Sequence, residues 1–299
     1  MRLIKPSFQI IKPTGYTIDD IYKSIELAGR VSYKSEDRIT EDSAKTFVER
    51  MIKMKHLSTC EFGTIYLKVP AGKYKFLDND YFNECNDIKD SFYSNPYTKI
   101  HGQEGYHYIS TNYRVLLENF SKEFIPELLQ YLCEPTEYHE KRICVKFICD
   151  RGISHELVRH RTFSFMQESS RYCNYSLNKF NNELTFIKPC FLDDNKLALY
   201  GPYHIVVRDK SPESIFIAGL NNAERDYIDL IKLGWKPEQA RAVLPNATKT
   251  ELFMCGFIED WKKFFLLRTP TNAHPQAREL AIPLREEFIK NNFISNEKF

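Results

Sequence analysis

Residues 142–172 of the chain have the sequence RICVKFICDRGISHELVRHRTFSFMQESSRY. Apolar and polar residues alternate at its start, and the apolar side chains of Ile143, Val145 and Phe147 share one face. A period of two residues predicts a β-strand. A tight turn and a helical turn then follow, and the helical turn ends in arginine, histidine and arginine. The stretch therefore predicts a group of cationic side chains close to the end of a buried strand.

Outside this stretch, helices and strands are mixed along the chain. The interval His56–Glu61 is predicted to be a loop, Phe62–Val69 a strand, and residues 72–118 irregular structure with one short helix. Capping residues and apolar spacing predict helices from Thr17, from Thr40, over Phe124–Leu132, from Ser211, over Pro237–Leu244, from Thr248 through Trp261 to about Leu267, and over Pro275–Lys290. Because strands and helices do not alternate regularly, we expect an α+β fold with a mixed or antiparallel sheet flanked by helices. The absence of G-x-G-x-x-G argues against a Rossmann fold.

The composition is that of an ordinary globular protein. Of the 299 residues 42% are hydrophobic, and the formal net charge is only +2, so any basic binding site must be local. Eight cysteines occur without a C-x-x-C pair, which predicts free thiols in a reducing compartment and no metal site. The N-terminus lacks an apolar leader, and no stretch has the length of a membrane span. We therefore expect a cytoplasmic protein.

The residues after the central strand have the chemistry of a nucleotide site. Arg159 and Arg161 are followed by Ser169, Ser170 and Arg171. A guanidinium group binds phosphate in a bidentate way, and hydroxyl groups donate further bonds to the same oxygens. Each charge-assisted bond contributes about 1.5–3 kcal/mol. The segment therefore predicts a site for the phosphate of a nucleotide.

Three other interpretations of the same residues remain open. An isolated Arg-His-Arg is also typical of a solvated helix C-terminus, where cations are favoured. Arg159, Arg161 and Arg171, with the many tyrosines as stacking platforms, are also compatible with a nucleic-acid-binding module, although the near-neutral charge argues against it. A third interpretation is another flavin- or nucleotide-dependent transferase.

The order of several motifs resembles the flavin-dependent thymidylate synthases, which form the thymidylate synthase complementing protein family. Arg159-His-Arg161, seven residues, and then Ser169-x-Arg171-Tyr172 resemble the central motif of that family. The remaining similar blocks, in chain order, are Arg30-Val-Ser-Tyr-Lys-Ser-Glu-Asp37, His56-Leu-Ser-Thr-Cys-Glu61, Arg241-Ala-Val-Leu-Pro245, Trp261-x-x-Phe-Phe-x-Leu-Arg268 and Ala273-His-Pro-Gln-Ala-Arg278. Each block alone is weak, but together they span most of the chain in the order of the family.

The resemblance implies a fold, an activity and an assembly. The fold would be the family's own α+β fold as a single domain over residues 1–299, with an insertion at about 72–118. The activity would be methylation of dUMP to dTMP, with 5,10-methylenetetrahydrofolate as carbon donor and FAD, reduced by NADPH, as hydride donor. The protein would form a homotetramer with active sites shared between subunits, and it would bind neither nucleic acid nor membrane.

The resemblance also implies roles for individual residues. Arg268 would be the catalytic cation that activates the uracil ring. The residues contacting dUMP would be Glu156, Arg159, Gln167, Glu168, Ser169, Ser170, Arg171, Arg241 and Arg268. The residues contacting FAD would be His56, Ser58, Arg159, His160, Arg161, Gln167 and Lys263. The chain departs from the common family pattern at Glu156, Met166, Glu259 and Lys263.

Overall fold

The computed structural model describes residues 1–74, 95–193, 195 and 211–296. Strands within these residues are β1 (Arg2–Ile4), β2 (Ser7–Ile11), β3 (Thr64–Pro70), β4 (Lys99–Gln103), β5 (Tyr106–Asn112), β6 (Arg142–Asp150), β7 (Ser164–Gln167), β8 (Thr185–Ile187) and β9 (Lys249–Phe257). Helices within them are α1 (Ile18–Val31), α2 (Ser43–Lys53), α3 (Tyr113–Asn119), α4 (Ile125–Leu129), α5 (Arg151–Leu157), α6 (Pro212–Lys232), α7 (Pro237–Ala240), α8 (Ile258–Arg268) and α9 (Pro275–Lys290).

The central sheet has four strands in the order β2-β6-β9-β7, and all of its neighbours are antiparallel. Helices α8 and α9 cover one face, where Trp261, Phe264 and Phe288 are fully buried. Helix α1 covers the other face, and Val31 and Phe253 pack there. Burial of both faces makes β6 and β9 the rigid centre of the molecule, and α5 starts directly from the end of β6.

Two smaller sheets flank the central one. Strands β3, β5 and β4 form an antiparallel sheet in the order β3-β5-β4, and its core also takes in α1 and α2 through Ile25 and Phe47. Strands β1 and β8 pair in parallel, and Phe186 of β8 packs with Leu220 and Tyr227 of α6. The expected α+β class with mixed and antiparallel sheets is confirmed, and the arrangement is not a Rossmann fold.

Most predicted helices are present. Helix α1 begins after Thr17, whose hydroxyl and the carboxylate of Asp20 form a capping box. Helix α6 begins after Ser211, with a proline in its first turn, and the backbone of Gly234 has a φ of +95° just beyond its end. The helix predicted over Phe124–Leu132 is shorter, and the interval predicted as a loop at His56–Glu61 is largely a 3-10 turn over Leu57–Phe62.

The helix predicted to start at Thr248 is wrong in its first half. Residues Lys249–Phe257 form β9, and a helix begins only at Ile258. Strand β9 lies between β6 and β7 and is buried on both faces, so its residues show no polar alternation. The Thr-x-x-Glu pattern at its start matched a helix cap by chance, and the pairing of β9 with two neighbouring strands overrode it.

The interpretation of residues 72–118 as irregular structure is wrong for two strands, whereas the one short helix expected there is present as α3. Strands β4 and β5 and most of α3 lie in this interval, while residues 75–94 are outside the described part. Strand β5 pairs along its whole length with β3, so the sheet that contains β4 and β5 also includes residues before 72. Among the described helices none has the length and hydropathy needed to span a membrane.

Candidate active site

The site is built on the end of the central strand β6. The Asp150 side chain accepts a hydrogen bond from the backbone N–H of Ile153 at 2.8 Å and thereby caps α5. The second carboxylate oxygen of Asp150 accepts from Gln276 Nε2 of α9 at 2.7 Å. These bonds fix the start of α5 against α9, and α5 then presents Glu156 and the residues that follow it.

Arg268, the last residue of α8, is held against this helix by three hydrogen bonds. Its Nη1 donates to Glu156 Oε2 at 2.7 Å and its Nη2 donates to the Glu156 carbonyl oxygen at 2.9 Å. Its Nε donates to His160 Nε2 at 3.0 Å. The second N–H of each terminal nitrogen has no partner among the described residues. The guanidinium is therefore fixed in orientation while two donors are left for a ligand.

His160 is neutral in this arrangement. Burial and the charge of Arg268 lower the pKa of His160 to about 4. Its Nε2 accepts the bond from Arg268, which places the ring proton on Nδ1 at neutral pH. The ring also packs edge to face on Phe264, with the ring centroids 5.1 Å apart. His160 therefore positions Arg268 without adding a charge beside it.

A second cationic group converges on Ser170. The hydroxyl of Ser170 accepts from Arg241 Nη1 and from Arg151 Nη1, each at 3.3 Å. Ser170 is 3% exposed, and neither arginine has a carboxylate within ion-pair distance in the part of the chain that the structure describes. Two guanidinium groups meeting at a buried hydroxyl have the chemistry of a phosphate site. Arg151 was missed from the sequence, where it stands in a turn with no distinguishing neighbour.

The other residues of the predicted nucleotide loop lie around this group. The backbone N–H of Ser169 donates to the Ser32 carbonyl oxygen at 3.1 Å, and Ser169 Oγ accepts from the backbone N–H of Arg171. The Arg171 side chain is exposed and lies over the ring of Tyr172, 5.2 Å from its centroid. Among the described residues, no hydrogen bond joins the Arg171 side chain to Ser170, the hydroxyl at which Arg151 and Arg241 meet.

Gln167 and Glu168 are held by the protein itself. Gln167 Nε2 donates to Ser154 Oγ at 2.9 Å and to Thr250 Oγ1 at 3.1 Å. The Glu168 carboxylate is buried and accepts from Tyr175 and Lys249. Both side chains thus hold the loop in place, and the loop offers a ligand its backbone and serine hydroxyls.

Glu168 belongs to a partly buried ion network that ties the loop to the central sheet. The network is formed by three lysines and three glutamates, namely Lys34, Lys146, Lys249, Glu36, Glu168 and Glu251. Burial opposes ionisation of Glu251, but the charges of the lysines around it hold its pKa far below the ordinary value. The six charges balance, so the network supports the loop without adding net charge to it.

The residues assigned to FAD by resemblance are spread over several elements. His56 and Ser58 are exposed beside the 3-10 turn before β3, Arg159 and Arg161 are exposed after α5, and Lys263 is exposed on α8. Among the described residues, no hydrogen bond or ion pair joins His56 or Ser58 to Arg159, Arg161 or Lys263. Glu61 of the same block instead pairs with Arg114 of α3 at 2.7 Å.

A cationic cleft lies next to the nucleotide loop. Its volume is about 810 Å³, and its lining includes Arg38, Arg50 and Lys179. None of these three has a carboxylate within ion-pair distance among the described residues. Lys179 Nζ donates to the carbonyl oxygens of Tyr33 and Lys34. These two residues directly follow Ser32, whose carbonyl oxygen accepts from the backbone N–H of Ser169 in the loop. The cleft offers unpaired positive charge to an anionic ligand.

The thiols of Cys60, Cys149 and Cys173 are not activated as nucleophiles. Burial raises the pKa of Cys60 to about 11 and that of Cys173 to about 12. Burial also raises the pKa of Cys149. The Cys173 thiol lies closest to the loop and points to the Ser32 carbonyl oxygen. These thiols stay protonated at neutral pH.

Residues 107–291 match the family model described as thymidylate synthase complementing protein. This match covers more than half of the chain. The chain belongs to that family.

Several curated relatives in this family are named flavin-dependent thymidylate synthase. The relative from Pyrococcus furiosus is 31% identical over 177 residues, which are 59% of this chain and 66% of the relative. The relative from Pyrococcus abyssi is 28% identical over 58% of this chain and 64% of its own length, and the one from Mycolicibacterium gilvum is 30% identical over 44% and 51%. The matched regions thus span between half and two thirds of these relatives.

Solved structures also resemble the chain. Thymidylate synthase X from Helicobacter pylori, with FAD and dUMP, is 21% identical over 48% of this chain and 66% of that chain, with a TM-score of 0.35. The UMP/dUMP methylase PolB from Streptomyces cacaoi, bound with 5-Br dUMP, is 17% identical over 97% of this chain and 93% of that chain, with a TM-score of 0.42.

Proposed function

We propose that the protein is a flavin-dependent thymidylate synthase that methylates dUMP to dTMP. In this proposal 5,10-methylenetetrahydrofolate donates the carbon, and FAD, reduced by NADPH, donates the hydride. Membership of the family supports the reaction. The observation that carries the proposal is the Arg268 guanidinium, which Glu156 and His160 hold in place with one free N–H on each terminal nitrogen.

Arg268 would act on the uracil ring. Carbon C5 of uracil is a weak nucleophile, and it becomes stronger when negative charge develops at N3. A fixed guanidinium beside N3 stabilises that charge without having to reorganise during the reaction. Glu156 and the neutral His160 would keep the guanidinium plane oriented, and the Arg268 side chain is 18% exposed, so water competes little for its two free donors.

The phosphate of dUMP would bind at Ser170. Arg171 and Arg241 are the dUMP residues expected at the phosphate. Arg241 meets Arg151 at one hydroxyl, which supports its part of this expectation and adds a second cation, whereas Arg171 makes no bond to that hydroxyl among the described residues. Two guanidinium groups compensate the charge of a phosphate monoester. The backbone of the loop from Gln167 to Ser170 would complete the binding site.

The residues present also fit a flavin dinucleotide. The pyrophosphate of FAD needs cations that are not already paired, and Arg38, Arg50 and Lys179 in the cleft beside the loop meet that need. The exposed Arg159 and Arg161 offer two further cations. When bound, the flavin would supply the hydride that completes the methyl group. His56, Ser58 and Lys263 would contribute to its binding from other elements.

The proposal includes a homotetramer with shared sites, working in the cytoplasm. Within the described part of one chain, no bond joins His56 or Ser58 to Arg159 and Arg161, which supports their meeting across subunits. Leu266 and Leu267, directly before Arg268, are 46% and 63% exposed. Apolar side chains exposed beside a site are typical of a surface that another subunit covers.

The deciding experiment is formation of dTMP from dUMP by the purified protein, supplied with FAD, NADPH and methylenetetrahydrofolate. Arg268→Ala should lower turnover on the order of 10²–10³-fold, because it removes the preorganised cation, while the flavin absorbance is retained. Arg225→Ala, which removes an exposed arginine of α6, is the control and should keep full activity. A folded, flavin-loaded protein that forms no dTMP would overturn the proposal, and an active Arg268→Ala variant would remove Arg268 from its role.

A further inference from the structure

A separate cavity of about 450 Å³ lies between α1, the edge strand β2 and the central sheet. Its walls are mostly apolar and include Ile11, Leu27, Phe62, Phe253 and Phe293. None of the residues assigned above to dUMP or FAD is in its lining. The volume is in the range of small-molecule sites. The cavity is therefore a candidate site outside the residues assigned to dUMP and FAD.

The charges of this cavity all have one sign. Lys12, Lys141 and Arg142 belong to its lining, and no aspartate or glutamate does. Lys12 and Lys141 are exposed and have no ion-pair partner among the described residues. The apolar cavity is thus bordered by three positive charges that no lining carboxylate compensates.

Arg142 is the innermost of these cations and is only 7% exposed. Its Nη1 donates to the Glu61 carbonyl oxygen and to Thr64 Oγ1, and its Nη2 donates to Ser164 Oγ. All three acceptors are neutral, and no carboxylate lies within ion-pair distance of Arg142 in the described parts of the chain. The Glu61 carboxylate, on the same turn, is taken by Arg114.

Because the acceptors bonded to the Arg142 guanidinium are all neutral, a bound anion would stabilise its buried charge. Arg142 forms three of the five bonds that its N–H groups allow, so its Nε–H and one Nη2–H are without partners among the described residues. The apolar walls would stabilise a ligand that buries apolar surface against them. A water molecule or a group of similar size takes up about 30 Å³, so a cavity of about 450 Å³ holds on the order of 15 such groups.

We propose that this cavity binds an amphipathic monoanion, a linear apolar chain of about ten carbons ending in one carboxylate. The carboxylate lies on Arg142, Lys12 and Lys141 flank the entrance, and the chain lies between Leu27 of α1 and Phe253 of β9. The site is distinct from the dUMP and flavin residues, and the proposal does not depend on the enzymatic activity.

Calorimetric titration of the full-length protein with decanoate tests the proposal. Decanoate should bind with one site per chain, whereas decyltrimethylammonium, which has the same tail and the opposite charge, should bind at least tenfold more weakly. Equal affinity for the two probes would show detergent-like adsorption and overturn the proposal. Absence of decanoate binding to the folded protein would overturn it as well.

Three variants and one control locate the site. Leu27→Trp fills the cavity and should abolish decanoate binding, while Leu233→Trp, at a position 81% exposed and outside the lining, should leave it unchanged. Arg142→Met should weaken decanoate binding at least tenfold with its fold checked by urea unfolding. If that variant does not fold, the double variant Lys12→Met with Lys141→Met should weaken decanoate binding several-fold. If the folded Arg142→Met variant binds decanoate with unchanged affinity, the assigned carboxylate position is contradicted. Where that variant does not fold, unchanged affinity in the double variant contradicts it.

Discussion

At the scale of single residues, the meeting of Arg151 and Arg241 at Ser170 gives a direct prediction about phosphate binding. Arg151→Ala and Arg241→Ala should each raise the Kd of dUMP roughly 10- to 150-fold, since each removes a charge-assisted bond of about 1.5–3 kcal/mol. Isothermal titration with dUMP measures the change. Deoxyuridine, which lacks the phosphate, should bind the variants and the parent protein alike.

The control for these variants is Arg225→Ala, in which an exposed arginine paired with Asp226 is removed far along α6. It should leave the Kd of dUMP unchanged. If deoxyuridine loses as much affinity as dUMP in the Arg151 and Arg241 variants, the two guanidinium groups act on the shape of the site and not on the phosphate.

The residue scale also shows the limit of local patterns. Arg241 was expected in the nucleotide site through its resemblance to a family motif, but Arg151 was not. Arg151 stands 19 positions before Ser170, and its Nη1 reaches that hydroxyl because β6 and β7, both antiparallel to β9, end on the same side of the sheet. No periodicity or spacing in the sequence encodes that meeting.

At the scale of elements, the partly buried ion network should stabilise the junction of α1, β6, β7 and β9. Glu251→Gln should lower the free energy of unfolding by about 3 kcal/mol, because it leaves three partly buried lysines without their shared anion. Glu287→Gln, which removes an exposed pair with Lys290 on α9, is the matched control and should cost about 0–1 kcal/mol. Urea unfolding at pH 7 measures both values.

The same network fixes the sign of a pH dependence. The pKa of Glu251 lies below its ordinary value of 4.5 in the folded protein, so the unfolded chain takes up a proton first as the pH falls. The stabilisation by Glu251 is therefore fully present above about pH 4.5 and decreases below it. The difference between the parent protein and Glu251→Gln should shrink between pH 7 and pH 3, and a constant difference would mean that the charge of Glu251 does not stabilise the fold.

Alanine substitutions at two glycines should change the stability of the protein in opposite directions. A Cβ at Gly256 of β9 would lie 2.5 Å from the ring of Phe163, whereas a Cβ at Gly219 of α6 would meet nothing within 4 Å. Gly256→Ala should destabilise the protein by about 1–3 kcal/mol through overpacking. Gly219→Ala should stabilise it by about 0.4–1 kcal/mol, because alanine has less freedom in the unfolded chain. Thermal unfolding of both variants checks the signs, and a destabilised Gly219→Ala would indicate a contact on this face of α6.

At the scale of the whole molecule, the proposed shared sites predict complementation between subunits. His56→Ala and Arg268→Ala should each be inactive alone, and mixed tetramers should regain measurable turnover, because some sites receive both native residues from different chains. The measurement is dTMP formation after the two variants are dissociated together and reassembled. A variant carrying both substitutions, reassembled with itself, is the control and should stay inactive. If tetramers shown to be mixed regain no activity, His56 and Arg268 of one chain belong to the same site.

By itself the sequence determined the elements whose evidence is local. The alternation in 142–149 predicted the central strand, and the residues at Thr17 and Ser211 predicted two helix starts. The order of motifs was enough to predict the family. Such features depend on the period or the capping chemistry of one element, so a short window of residues contains them.

Only the tertiary structure decided what depends on two distant segments. Strand β9 looked like the start of a helix until its pairing with β6 and β7 explained its continuous burial. Arg268 and Glu156 are 112 residues apart in the chain and 2.7 Å apart in space. That the acceptors bonded to Arg142 are all neutral likewise becomes visible only when its neighbours are known. Burial and pairing belong to the packed chain, and neither can be obtained from a local window.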